Sequence, residues 1–159
     1  MNETVVQSLL DTAAIHEKRL LYALNHLAPT LPIAAEKVRS LNDQEILIVE
    51  LLISRFSKLQ GFLGSKLIDV VVERINEFSR ELTMIDKINK LEKFHLIKEA
   101  KLWKEMRELR NHLSHEYPNH PELLAKYLNQ TYKLSFELID FFNNLRDKIF
   151  SGATVKNGF

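Results

Sequence analysis

The 159-residue sequence predicts a single all-α domain. Three observations carry that expectation. Glycine and proline number only 4 each, so turns are few. Apolar residues recur at three- and four-residue spacing over long stretches, the period of an amphipathic helix. No segment reads as a convincing strand.

The first helix is expected from Glu3 to His26, with Val5, Leu9, Ala13, Leu20, Leu24 and Leu27 on its apolar side. Pro29-Thr30-Leu31-Pro32 ends it, because proline disfavours α geometry in the residue before it. A short turn of helix is expected over Ala34 to Val38. The second long helix starts at Asn42, where Glu45 three residues on makes a capping-box pair. It continues through Ile46, Val49, Ile53, Phe56, Leu59 and Leu63 toward Ile75. Gly61 and Gly64 fall inside it and permit a kink or a close helix contact. A Gly-x-x-Gly loop also clamps RNA in some modules, but that arrangement needs a sheet.

Thr83-Met84-Ile85-Asp86 opens a shorter helix with Ile85, Ile88, Leu91 and Phe94 on one face. Another is expected over Lys98 to Glu116. Pro118 and Pro121 punctuate the chain, and a last long helix runs from Pro121 to Phe150. Its apolar positions include Leu124, Leu128, Leu134, Leu138, Ile139, Phe142 and Leu145. Residues 1–150 therefore read as one helical bundle, and 151–159 as a flexible tail without periodicity.

Composition excludes several chemistries. The absence of cysteine removes disulfides, thiolate zinc sites and a cysteine nucleophile, and it fits a reducing compartment. The net charge of +1 is too small for binding of nucleic acid by bulk electrostatics, so such binding needs a local patch. The longest apolar stretch, Ile46 to Ile53, is broken by Glu50 and is far shorter than the ~20 residues of a membrane span. The start of the chain lacks the basic and apolar segments of a signal peptide. The expectation is a cytoplasmic protein without a membrane partner.

The informative segment is Arg110-Asn111-His112-Leu113-Ser114-His115-Glu116-Tyr117-Pro118. Leu102, Met106, Leu109 and Leu113 face the core at helical spacing, while Arg107, Asn111 and His115 share a second stripe. Arg110 and His115 lie roughly 140° apart around a helix of 3.6 residues per turn. One helix does not bring them together: either their side chains converge past its end, or a second copy completes the site. An imidazole at a helix C-terminus suits proton transfer near neutral pH. Tyr117, before a proline, is pushed out of α geometry. Taken singly, each residue also reads blandly, as a polar cap, an ion-pair partner and a packing tyrosine.

Jointly they form R-x-x-x-x-H-x-Y, which resembles the signature of the HEPN superfamily (higher eukaryotes and prokaryotes nucleotide-binding domains). More narrowly it is similar to the HepT-like toxins paired with minimal nucleotidyltransferase antitoxins. The order of Leu91-Glu-Lys-Phe-His-Leu-Ile97 and Trp103-Lys-Glu-Met-Arg-Glu-Leu-Arg-Asn111 is also similar. The resemblance implies a HEPN-like up-and-down bundle of four to five helices and a metal-independent endoribonuclease working as a homodimer. Two copies of Arg110 and His115 would form the catalytic cleft, with Asn111 orienting them. It further implies that Tyr117 is where a separate nucleotidyltransferase antitoxin adds AMP and so blocks cleavage. No cofactor and no metal are expected.

Lys98, Lys101, Lys104, Arg107 and Arg110 recur every third residue and make a candidate RNA-binding stripe. The bland alternative is a solvated face paired internally, since Lys101–Glu105 and Lys104–Glu108 have ion-pair spacing. Rival readings of the whole chain are a non-catalytic nucleotide- or substrate-binding subunit of a nucleotidyltransferase, and a plain dimerisation module. Weaker motifs are His95-Leu-Ile-Lys98, a phosphotransfer-like pattern, and His112, His115, Glu116 and His120 as metal ligands.

Overall fold

The computed structural model describes residues 2–75, 81–115 and 119–157. Among them there is no strand, and the chain is an all-α bundle. Helix α1 spans Glu3–Leu27, α2 Ala35–Arg39 and α3 Asp43–Phe62. A π-helical stretch, Leu63–Leu67, joins α3 to α4, Ile68–Ile75. Then come α5, Met84–Lys93, α6, Ala100–Leu113, and α7, Pro121–Asn157.

Local chemistry starts these helices where the sequence places them. The Asn2 side chain accepts the Val5 N–H at 2.8 Å and opens α1. Asn42 and Glu45 form a full capping box at α3, and Thr83 and Asp86 form another at α5. Helix α6 has no capping side chain of its own; Glu92, from α5, accepts the Ala100 N–H instead. That borrowed cap starts α6 two residues later than the expected Lys98. Helix α7 begins at Pro121, as expected, but runs through Asn157 rather than stopping at Phe150. No proline interrupts that stretch, and Gly152 alone costs only about 1 kcal/mol in a helix. Residues 158–159 lie outside the described part.

Three long rods, α1, α3 through α4, and α7, frame the bundle. Helix α1 runs antiparallel to α3 and α4: Glu3 pairs with Arg74 at 2.7 Å, and His16 meets Arg55. Helix α7 returns along both, with Arg146 near Glu17 and Arg74 donating to the Ile149 carbonyl at 2.9 Å. It also clamps two connections. The Asn129 amide bonds both backbone groups of Ile33, at 2.7 and 2.9 Å, and Asn144 donates to the Leu96 carbonyl at 3.0 Å. The core includes Leu20, Leu24, Leu52, Phe56, Leu59, Leu63, Leu91, Met106, Leu128, Phe141 and Phe142.

Several expected core positions shift. At the start of α1 the buried residues are Val6 and Leu10, while Val5 is exposed. On α5, Ile88 and Leu91 are buried, but Ile85 is 73% exposed and Phe94 48%. Phe94 ends α5 instead of extending its apolar face: the His95 N–H bonds Glu92 O and the Leu96 N–H bonds Leu91 O, with His95 at φ 57°. These bonds are the Schellman arrangement, here with histidine in the left-handed position usually given to glycine. His95 therefore sits in the turn after α5, where its backbone closes the helix.

Candidate functional site

Helix α6 is set by two close approaches to the α3–α4 rod. A Cβ built on Gly64 would stand 3.0 Å from the Trp103 ring, and one on Gly61 would stand 3.0 Å from Nη1 of Arg110. Trp103 also packs edge-on against Phe141 of α7, with ring centroids 5.8 Å apart. The two glycines thus provide a close helix contact, and Gly64 lies within the π-helical stretch. Gly61 is the seat of the Arg110 guanidinium. Sequence reasoning singled out both the glycine pair and Arg110, but nothing in linear spacing linked positions so far apart.

Arg110 is half-buried and makes no ion pair or hydrogen bond through its side chain among the described residues. His115 is exposed and lies two residues beyond α6. The end of α6 is closed locally. Ser114 N–H bonds Arg110 O at 3.1 Å, Ser114 Oγ–H bonds Asn111 O at 2.7 Å, and His115 N–H bonds His112 O at 3.2 Å. Asn111 enters this network through its carbonyl, and its exposed side chain bonds neither Arg110 nor His115. Tyr117, with Glu116 and Pro118, lies outside the described residues.

His115 borders a groove of about 790 Å³ where α2, the start of α3, the end of α6 and the start of α7 meet. Its walls are mostly apolar, including Ile46, Val49, Ile53 and Leu113, with Arg39, Glu50 and Asn119 as polar members. Arg110 does not line this groove. Within one chain, therefore, Arg110 turns toward Gly61 while His115 edges a separate cavity.

His112 leaves on the opposite flank. Its ring stacks on Tyr127 of α7 at 4.8 Å between centroids, and its Nδ1 is 3.4 Å from the Tyr127 hydroxyl. Glu105 and Glu108 share a pocket with this pair. Helix α6 is therefore divided in charge, with carboxylates toward α7 and Arg110 toward α3. Among the described residues no three metal-ligating side chains cluster.

The lysine stripe is largely compensated. Lys98, outside α6, reaches Glu137 at 3.5 Å, Lys101 pairs with Glu99 at 3.1 Å, and Lys104 pairs with Glu108 at 3.9 Å. The Lys101 contact differs from the expected Glu105 partner, because Glu99 precedes the helix and folds back on its first turn. The Lys101 pKa is raised by its hydrogen bond to Glu99, by the charge of Glu99 and by that of Glu105. These exposed pairs contribute little stability, but they reduce the stripe's free charge. Arg107 and Arg110 have no ion-pair partner among the described residues.

A second cationic group lies across α3 from Arg110. Arg55 Nη1–H donates to His16 Nδ1 at 3.0 Å, and Phe62 packs edge-on against the same imidazole. His16 is held below its ordinary pKa of 6.5 by burial first, then by the charges of Arg55 and Lys58. On the other side of α1, burial raises the Glu17 carboxyl above 4.5, against the opposing pull of Arg146.

No protein-family model matches the sequence, and no curated protein matches it.

Proposed function

We propose that the chain is a HepT-like HEPN toxin: a metal-independent endoribonuclease whose active site forms between two copies in the cytoplasm. Arg110 carries this reading. A half-buried guanidinium without a carboxylate partner among the described residues, five positions before an exposed histidine, suits a phosphate that arrives from outside the chain.

In the proposed reaction one His115 takes the proton of the RNA 2′-hydroxyl as its oxygen attacks phosphorus. The His115 of the second copy gives a proton to the departing 5′-oxygen. A 2′,3′-cyclic phosphate and a 5′-hydroxyl result. Paired guanidinium groups of Arg110 stabilise the charge that builds on the phosphoryl oxygens. Arg110 and His115 are separated within one chain, so this geometry requires the second copy. Asn111 lies between them in sequence, and its exposed amide is available to such a cleft. AMP carried by Tyr117 would place a phosphate near Arg110 and compete with substrate; the enzyme adding it would be a separate nucleotidyltransferase.

One observation favours the non-catalytic reading, a nucleotide- or substrate-binding subunit. Among the described residues, the apolar groove at His115 is lined by one chain without Arg110. His115→Ala separates the two. As an exposed residue, His115 contributes less than about 0.5 kcal/mol to stability, whereas loss of a general acid or base costs about 10²–10⁴-fold in rate. The expected result is a folded variant that has lost RNA cleavage, while the wild type cuts RNA in EDTA. A wild type that leaves RNA intact supports the binding subunit, and an unchanged rate in the variant removes His115 from the chemistry.

A further inference from the structure

We infer that RNA reaches the site across the α1–α3 face, its phosphates held by Arg55 and Lys58 on the way to Arg110, rather than along the lysine stripe of α6. The inference rests on the ribonuclease reading for the identity of the polyanion. The surface itself rests on charge placement.

Three links make the face continuous. Arg55 is bonded to His16 on α1, and the charge of Lys58 is felt at the same imidazole. Lys58 stands three residues before Gly61, one helical turn away and on the same side of α3. Gly61 is where the Arg110 guanidinium rests. A row of cations thus crosses from α1 over α3 to α6.

No carboxylate neutralises that row among the described residues. Elsewhere, cations packed into the bundle are matched: Arg74 with Glu3, Lys87 with Asp69, Arg146 with Glu17. The nearby acids are committed in other directions. Glu17 faces Arg146, Asp11 accepts from Gln7, Glu50 lines the His115 groove, and Glu105 and Glu108 face α7. Half-burying the Arg55 and Arg110 guanidinium groups without a carboxylate costs solvation in the free chain. A phosphodiester backbone supplies the missing anions, and its binding offsets that cost as well as releasing counterions. By contrast, Lys98, Lys101 and Lys104 already have carboxylate partners that RNA would have to displace.

The test measures binding of a fluorescein-labelled, 2′-O-methylated single-stranded RNA, which binds without being cut, over a series of salt concentrations. Lys58→Glu is expected to weaken binding about tenfold or more, and the slope of log affinity against log salt to fall by about 0.7 for each phosphate no longer engaged. Arg55→Gln should act in the same direction, and Lys133→Glu, an equal charge change on exposed α7 surface, should cost less than either. Thermal melting checks that each variant folds. In the wild type, the RNA should also raise the His16 pKa followed by NMR, because phosphate offsets the field of Arg55 and Lys58. Affinity and slope unchanged in both Lys58→Glu and Arg55→Gln, or no RNA binding by the wild type, overturns the surface. If RNA binds through Lys58 and Arg55 but unmodified RNA is never cleaved, the surface stands and the ribonuclease reading falls. If the wild type cleaves while both variants bind normally, the reverse holds.

Discussion

At the scale of single residues, His16 shows how packing sets a protonation state. Its Nδ1 accepts from Arg55, so the ring must be unprotonated there; a proton would replace a hydrogen bond with two adjacent cations. The folded chain therefore binds fewer protons at His16 than the unfolded chain, between its depressed pKa and 6.5. Across that window stability rises with pH, and the penalty is fully present below it. Glu17 acts oppositely. Its raised pKa means that the folded chain binds more protons above 4.5, so stability falls with rising pH until the raised value is passed. The two slopes are opposite in sign, and His16→Gln isolates the imidazole. The melting temperature of the wild type relative to His16→Gln should drop as pH falls from neutrality into the acid range. A difference that does not vary with pH would mean that His16 takes up its proton equally in the folded and unfolded chains, so that Arg55 and burial do not hold its pKa down. No periodicity marks this residue, because its environment comes from α3, 39 positions away.

At the scale of elements, α6 against α3 decides how Arg110 is presented. The two glycines admit different neighbours, so equal substitutions should have unequal effects. Gly64→Ala drives a methyl into the rigid Trp103 ring, which Phe141 backs, and should destabilise the fold by about 1–3 kcal/mol. Gly61→Ala meets only the mobile end of Arg110. Alanine also favours helix over glycine by about 1 kcal/mol, so stability should hold or rise. The guanidinium must nevertheless shift by a few tenths of an ångström from its seat, and RNA cleavage should fall. Melting curves and cleavage rates on both variants check this. A Gly61→Ala protein of full activity would show that the seat does not position Arg110. The capping box at Asn42 and the helix start at Thr83 were legible because the bonds that make them join residues three apart. The start of α6 was not, because its cap, Glu92, belongs to another helix. The Asn129 and Asn144 clamps escape sequence reading for the same reason: their partners lie 96 and 48 positions away.

At the scale of the whole molecule, periodicity and scarce turn residues were enough to give an all-α bundle of three long rods, two shorter helices and a brief α2. No described helix is long and apolar enough to cross a membrane. The arrangement of Arg110 and His115 was legible only in part. Helical geometry anticipated that one helix would keep them apart, and in the chain they do part, one over Gly61 and one at the groove. The seat itself, and the uncompensated cations of α3, depend on which helices become neighbours, which local spacing does not encode.

The central claim is that catalysis needs Arg110 and His115 from two copies at once. Its most direct test is the RNA cleavage rate per chain, in EDTA, measured across protein concentrations at which light scattering follows the change from monomer to dimer. The account predicts that the rate per chain tracks the fraction of dimer and vanishes with it. A monomer that cuts RNA as fast, chain for chain, would contradict it.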